Sequence, residues 1–152
     1  MKTIALLLAL ATLAPAVARA DPSSPAVEQR RQSPAEASAQ SEYTRGVRAR
    51  VAQDWATAIT AFGRAVGLRP DFPEAWNELG FALRNQGRYA DALDAYDRAL
   101  ALRPDFPEAL EYLGEAYVKM GRVDDARRVL ERLKPLDTAR AAELAEEIAK
   151  AL

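Results

Sequence analysis

The octapeptide LRPDFPEA stands at residues 68–75 and again, letter for letter, at residues 102–109, a start-to-start spacing of 34. Sliding the chain against itself by that spacing extends the match in both directions. Leu79 and Gly80 align with Leu113 and Gly114, Ala82 with Ala116, Gly87 and Arg88 with Gly121 and Arg122, and Asp91 and Ala92 with Asp125 and Ala126. A weaker copy lies upstream, where Gly46, Ala58, Phe62, Ala65 and Pro70 fall on Gly80, Ala92, Tyr96, Ala99 and Pro104. A period of this length marks a stack of supersecondary units, none of which can bury its apolar face alone.

Each unit reads as two amphipathic helices in a hairpin. Trp76, Leu79 and Leu83 are three and four residues apart and so share a helical face; Ala92, Leu93, Tyr96, Ala99 and Leu100 do the same on the partner helix. Gly80 and Ala92, like Gly114 and Ala126, are expected to let two helix backbones approach closely. Gly87 and Gly121 fall at the turn, where a left-handed residue after a helix end costs little only for glycine. The octapeptide is then punctuation. Pro70 and Pro104 cannot continue the preceding helix. Asp71 and Asp105 are expected as N-caps, with Glu74 and Glu108 completing capping boxes and Pro73 and Pro107 in the first turn. Phe72 and Phe106 are expected to pack between neighbouring units.

The pattern Trp76-x2-Leu79-Gly80-x2-Leu83, then Ala92-x3-Tyr96, then Pro104 resembles the tetratricopeptide repeat. The next copy reads Leu110-x2-Leu113-Gly114-x2-Tyr117, then Ala126-x3-Leu130. The resemblance implies an all-α fold, a right-handed α-solenoid of three helix-turn-helix repeats over about residues 39–72, 73–106 and 107–137. A capping helix over about 138–151 would follow, giving seven helices. Departures occur at the ends. In the first copy Glu42 replaces the tryptophan and Arg45 a leucine, while in the third Pro135 arrives three residues early. Ala141, Leu144, Ala145, Ile148 and Leu152 form the apolar stripe of the capping helix, opposite Glu143, Glu146, Glu147 and Lys150. Ser33, Pro34 and Glu36 look like a cap, a first-turn proline and a capping glutamate, so the first helix is expected to begin near Pro34.

The resemblance also implies a concave groove, lined by the first helices of successive repeats, that binds a peptide or an extended protein segment. The family's groove positions fall here on Tyr43, Val47, Arg50 and Val51; on Glu74, Asn77, Phe81, Arg84 and Asn85; and on Glu108, Glu111, Glu115, Val118 and Lys119. Of these, Tyr43, Val47, Asn77, Phe81, Arg84, Glu111, Glu115 and Lys119 are the candidate partner-binding residues. Phe81 is set off the Trp76–Leu79–Leu83 stripe and is expected to face solvent as an apolar anchor, the alternative being burial under the first helix. Asn77 is expected to hydrogen-bond a bound backbone. One variant of the family clamps a C-terminal carboxylate; the corresponding positions hold Tyr43, Val47, Glu78, Glu108 and Tyr112, so no such clamp can form. Glu108, Glu111 and Glu115 instead stack on one face beside Glu74 and Glu78. They suit a basic partner segment or a weakly held hard cation, unless Arg84 and Lys119 neutralise them.

The first twenty residues, MKTIALLLALATLAPAVARA, have the layout of a secretory signal peptide. Lys2 supplies the basic start, residues 4–17 the apolar run, and Ala18-Arg19-Ala20 the small-x-small pattern before Asp21. The run is short of the roughly 20 residues a membrane span needs; an uncleaved anchor is the alternative. Residues 21–32 are rich in proline, serine and charge without a period and read as a flexible tether. The expected location is a periplasm, or the outside of the cell. With Lys2 and Arg19 removed, 19 basic side chains face 22 acidic ones. That balance argues against nucleic-acid binding, which needs a clustered basic face.

Histidine and cysteine are both absent, and every serine lies at or before Ser41. A Ser–His or Cys–His nucleophile cannot be assembled, and zinc and haem lose their usual ligands. The sequence therefore predicts no catalytic residue, no metal and no cofactor. It predicts a non-enzymatic scaffold for another protein or peptide, monomeric or weakly self-associating. The alternatives are a structural solenoid that self-associates end to end, and an enzyme acting through paired carboxylates.

Overall fold

A computed structural model describes residues 33–152. The signal peptide expected over 1–20 and the tether over 21–32 lie outside the described residues. Seven helices follow one another, with no strand among the described residues. They are α1 (Pro34–Val51), α2 (Trp55–Leu68), α3 (Pro73–Asn85), α4 (Tyr89–Leu102), α5 (Pro107–Lys119), α6 (Val123–Leu133) and α7 (Thr138–Lys150). The pairs α1–α2, α3–α4 and α5–α6 are hairpins; α2 packs on α3 and α4 on α5, so each hairpin docks on the next. The first helices also touch in sequence, α1 on α3 and α3 on α5, and α7 packs on both α5 and α6.

The start of α1 is fixed by a reciprocal cap. Ser33 Oγ accepts from the Glu36 amide at 3.1 Å while the Glu36 carboxylate accepts from the Ser33 amide at 2.6 Å. The hairpin turns use left-handed glycines, with φ of 79° at Gly87 and 72° at Gly121. At the first turn that role passes to Gln53, at φ 56°.

The octapeptide departs from expectation at its acids. The N-caps of α3 and α5 are Phe72 and Phe106, and no side chain caps either helix. The residue before a proline is pushed out of the α region. Phe72 and Phe106 therefore cannot be helical, each helix must begin at the proline itself, and Asp71 and Asp105 fall one residue outside capping reach. Glu74 turns away to Arg103, and Glu108 to Arg140. The phenylalanines do pack between hairpins, both buried. Each carries the octapeptide arginine on its face, Arg69 at 3.3 Å from the Phe72 centroid and Arg103 at 4.6 Å from that of Phe106. Trp76 Nε1 closes the first copy by donating to the Pro70 carbonyl at 2.8 Å.

The recurring glycines of the first helices admit side chains rather than backbones. A Cβ on Gly46 would lie 2.6 Å from the Phe62 ring, and one on Gly80 2.6 Å from the Tyr96 ring. At the third position the occupant changes: a Cβ on Gly114 would meet Leu144 of α7 at 2.5 Å. The apolar stripe of α7 is Ala141, Leu144 and Ile148, all buried, whereas Leu152 lies past the helix end and is 81% exposed. No helix among the described residues is long and apolar enough to cross a membrane.

Candidate functional site

The face shared by α1, α3 and α5 carries the aromatic and charged side chains that the repeat register assigns to a groove. Tyr43 of α1 is half-buried, its ring 5.7 Å from Phe62 and 5.0 Å from Phe72. Val47, one turn on, packs against the Ala49–Ala58–Phe62 cluster. Phe81 of α3 is half-buried too, neither free in solvent nor covered by α1. Trp55 lies edge-on at 6.0 Å and Tyr112 at 5.0 Å, while the guanidinium groups of Arg50 and Arg84 sit 5.5 and 5.2 Å from its centre. The expected solvent-facing anchor is thus a ring held among two aromatics and two cations. The α-helical register that turned it from the Trp76 stripe turned it towards neighbouring first helices. Asn77 departs further: it is only 3% exposed, and its Oδ1 has no hydrogen-bond partner among the described residues.

The acidic row is not open to a basic partner. Glu115 pairs with Arg84, and Glu111, 4% exposed, pairs with Arg140 of α7, which also reaches Glu108 at 3.2 Å. Glu74 pairs with Arg103. Lys119, expected to neutralise this row, is exposed at the end of α5 and instead lines a cleft of about 380 Å³ with Arg84, Tyr89, Glu115 and Glu147. No group of three or more carboxylates among the described residues is placed to hold a metal ion. Arg140 was invisible to the sequence reading because α7 lies outside the 34-residue register. The one cue was that several carboxylates on neighbouring first helices demand cations from somewhere.

Burial and pairing pull these carboxyls apart. Burial pushes Glu111 above the ordinary glutamate range against the pull of Arg140. Glu78 is raised by burial as well, with Arg50 opposing and Glu108 adding to it. Glu74 goes the other way: burial opposes, but the Arg103 hydrogen bond and charge hold it low.

Two family models described as tetratricopeptide repeat match the sequence, one over residues 43–105 and one over residues 83–150. The chain belongs to the tetratricopeptide repeat family. Solved members of the fold superpose on most of it. The TPR2B domain of yeast Sti1, in its pHsp70 complex, is 18% identical with a TM-score of 0.71, covering 76% of this chain and 96% of that one. The first TPR of Spaghetti (RPAP3), bound to the HSP90 peptide SRMEEVD, is 19% identical with a TM-score of 0.72, over 76% and 94%. The Arabidopsis OM64 TPR domain is 14% identical with a TM-score of 0.73, over 78% and 99%. At these identities the likeness is one of fold. No curated protein matches the sequence.

Within the tetratricopeptide frame, the positions of the carboxylate clamp are occupied by Tyr43, Val47, Glu78, Glu108 and Tyr112. Glu78 sits with its Oε2 at 3.2 Å from Arg50 Nε, and Glu108 lies beside Arg140. Both are acids with cationic neighbours of their own, which leaves no free cation there for a carboxylate terminus.

Proposed function

We propose that the protein is a non-catalytic interaction scaffold that takes an extended segment of another protein along the face of α1, α3 and α5. The observation that carries this reading is the row Tyr43, Phe81 and Tyr112. These three large rings stand half-buried on successive first helices, at the places where a repeat array presents its partner surface. Half-buried aromatics held rigid by their neighbours present apolar area at little entropic cost, as partner anchors do. Family membership supports the reading, as do the peptide complexes of yeast Sti1 and Spaghetti on the same fold. A chain without histidine or cysteine supports the absence of catalysis. The signal-like residues 1–20 support the proposal that the scaffold works in a bacterial periplasm or outside the cell.

Affinity capture from envelope extract tests the groove. Phe81→Ala combined with Tyr112→Ala should lose the captured protein while keeping a helical circular dichroism spectrum. Undiminished capture by that variant moves the binding surface elsewhere. Mass spectrometry of the protein from cells tests export: Asp21 should be its first residue, and a mature protein retaining Met1 ends the localisation proposal.

A second reading has one observation in its favour. At the end of the array α6 and α7 leave an apolar hollow of about 280 Å³ lined by Lys134, Thr138, Ala141, Ala142 and Ala145. End-to-end self-association through that hollow would appear as concentration-dependent mass in sedimentation, removed by Ala142→Glu.

A further inference from the structure

Each of the groove acids Glu74, Glu108, Glu111 and Glu115 has a cationic partner. Glu78 also has one, Arg50, but that contact is different in kind. Arg50 Nε and Glu78 Oε2 lie 3.2 Å apart, yet they are not aligned as donor and acceptor, and neither has a hydrogen-bond partner among the described residues. Asn77, adjacent in α3, leaves its Oδ1 unpaired at 3% exposure. Native proteins pair nearly all such buried groups, so these unpaired atoms, one on α1 and two on consecutive residues of α3, mark a place where something else supplies the bonds. The three sum to no net charge, and they combine an unspent donor with unspent acceptors.

That combination selects the ligand. A lone cation would meet the Arg50 charge, and a lone carboxylate the Glu78 charge. A peptide group is trans, with its C=O and N–H on opposite edges, so it cannot answer a donor and an acceptor standing together. A primary carboxamide can, because its oxygen and one N–H lie on the same edge. Phe81, with Arg50 already over its ring, offers a flat apolar wall beside the pair. The Arg50 side chain keeps 34% of its surface open and that of Glu78 16%. The last torsion of a glutamate is broad, so turning an oxygen towards the groove costs little.

We infer that the Arg50–Glu78 pair, beside the Phe81 ring, receives the primary carboxamide of an Asn or Gln side chain in the bound segment. The amide oxygen accepts from Arg50, and its NH2 group donates to Glu78. This inference rests on the groove reading above and names the side chain that the groove selects. The carboxyl of Glu78, already raised by burial, gains the donor it lacks.

Four capped pentapeptides test it, acetyl-Ala-Ala-X-Ala-Ala-N-methylamide with X as Gln, Ala, Lys or Glu, each titrated into the isotope-labelled full domain. The Gln peptide should shift the amide signals of Asn77, Glu78 and Phe81 saturably and bind roughly tenfold tighter than the Ala peptide. Glu78→Ala should erase that tenfold preference, and the milder Arg50→Met should do the same if the first variant unfolds. Equal binding of the Gln and Ala peptides, or preference for Lys or Glu, overturns the carboxamide inference and leaves the groove standing. So does a lack of any shift with capture still sensitive to the Phe81 and Tyr112 changes, since ordered water then satisfies these atoms. Shifts confined to α2, α4 and α6 overturn the inference and the groove reading together.

Discussion

Leu144 of α7 fills the space that Gly114 leaves on α5: a Cβ at Gly114 would stand 2.5 Å from Leu144 Cδ2 and 2.8 Å from Cδ1. In the first two hairpins the same glycine position receives a ring from its own partner helix, Phe62 over Gly46 and Tyr96 over Gly80. The third partner helix, α6, has Leu130 in register, but the side chain nearest Gly114 comes from α7 instead. The last helix supplies the missing volume and so becomes part of the repeat packing.

The packing makes the two residues energetically coupled. Gly114→Ala should cost about 1–3 kcal/mol through overpacking, and Leu144→Ala about 2–5 kcal/mol through the cavity it opens. Together they should cost less than the sum, because the added methyl group occupies part of the emptied volume. A double-mutant cycle by urea denaturation measures the difference, expected at about 0.5–3 kcal/mol. Strict additivity would mean that α7 does not sit against Gly114.

Two other glycines should respond in opposite directions. Gly63 lies inside α2 with open space around a would-be Cβ, so Gly63→Ala should stabilise by about 0.5–1 kcal/mol through helix propensity. Gly87 also has room, but its φ is +79°. Gly87→Ala should therefore destabilise by about 1–2 kcal/mol, a purely backbone effect. Thermal unfolding of both variants separates space from conformation.

What the sequence disclosed was what is local or periodic. The Ser33–Glu36 cap and the left-handed glycines follow from neighbours within four residues, and the hairpins from a spacing of 34. Hidden were contacts that cross the register. Arg140 comes from the one helix outside the period, and Trp55, the first residue of α2, meets Phe81 only once two hairpins have docked. The misplaced caps were an error of local reading. Asp71 and Asp105 looked like caps by composition, but the proline rule applied to Phe72 and Phe106 excludes them. Phe81 lies off the Trp76 stripe, but its exposure depends on Arg50, Arg84 and Tyr112, all on the neighbouring first helices or a turn away. A single helix cannot reveal that.

Acid titration should split the groove carboxyls. Glu78 and Glu111 are held above the ordinary glutamate pKa of about 4.3, whereas Glu74 is held below it. A raised carboxyl binds its proton more tightly in the folded chain. Between the ordinary value and the raised one, its contribution to stability is therefore present on the acid side and fades as pH rises. Glu111→Gln should flatten the part of the stability–pH curve that lies just above the ordinary glutamate value. Carboxyl-detected NMR should place Glu74 lowest of the three. Titration of Glu78 and Glu111 at the ordinary glutamate value would contradict their burial.

Charge reversal in the acidic row should report on stability before it reports on binding. Had Glu111 stood open to solvent, Glu111→Lys would change mainly the salt dependence of partner association. It is instead buried against Arg140, in a site that already pushes its carboxyl towards neutrality. A lysine there confronts Arg140 with a second cation away from water, and breaking such a pair typically costs about 3–5 kcal/mol. Glu131→Lys replaces an exposed acid paired with Lys134 one turn on, and should stay within about 0.5 kcal/mol. Arg140→Met tests the same contact from the other side. It leaves Glu111 buried without its cation, so the variant should lose stability most steeply at neutral pH and regain part of it as Glu111 takes up a proton. Urea denaturation at two pH values separates these outcomes. A Glu111→Lys variant as stable as the parent would place Glu111 in solvent and return the acidic row to partner recognition.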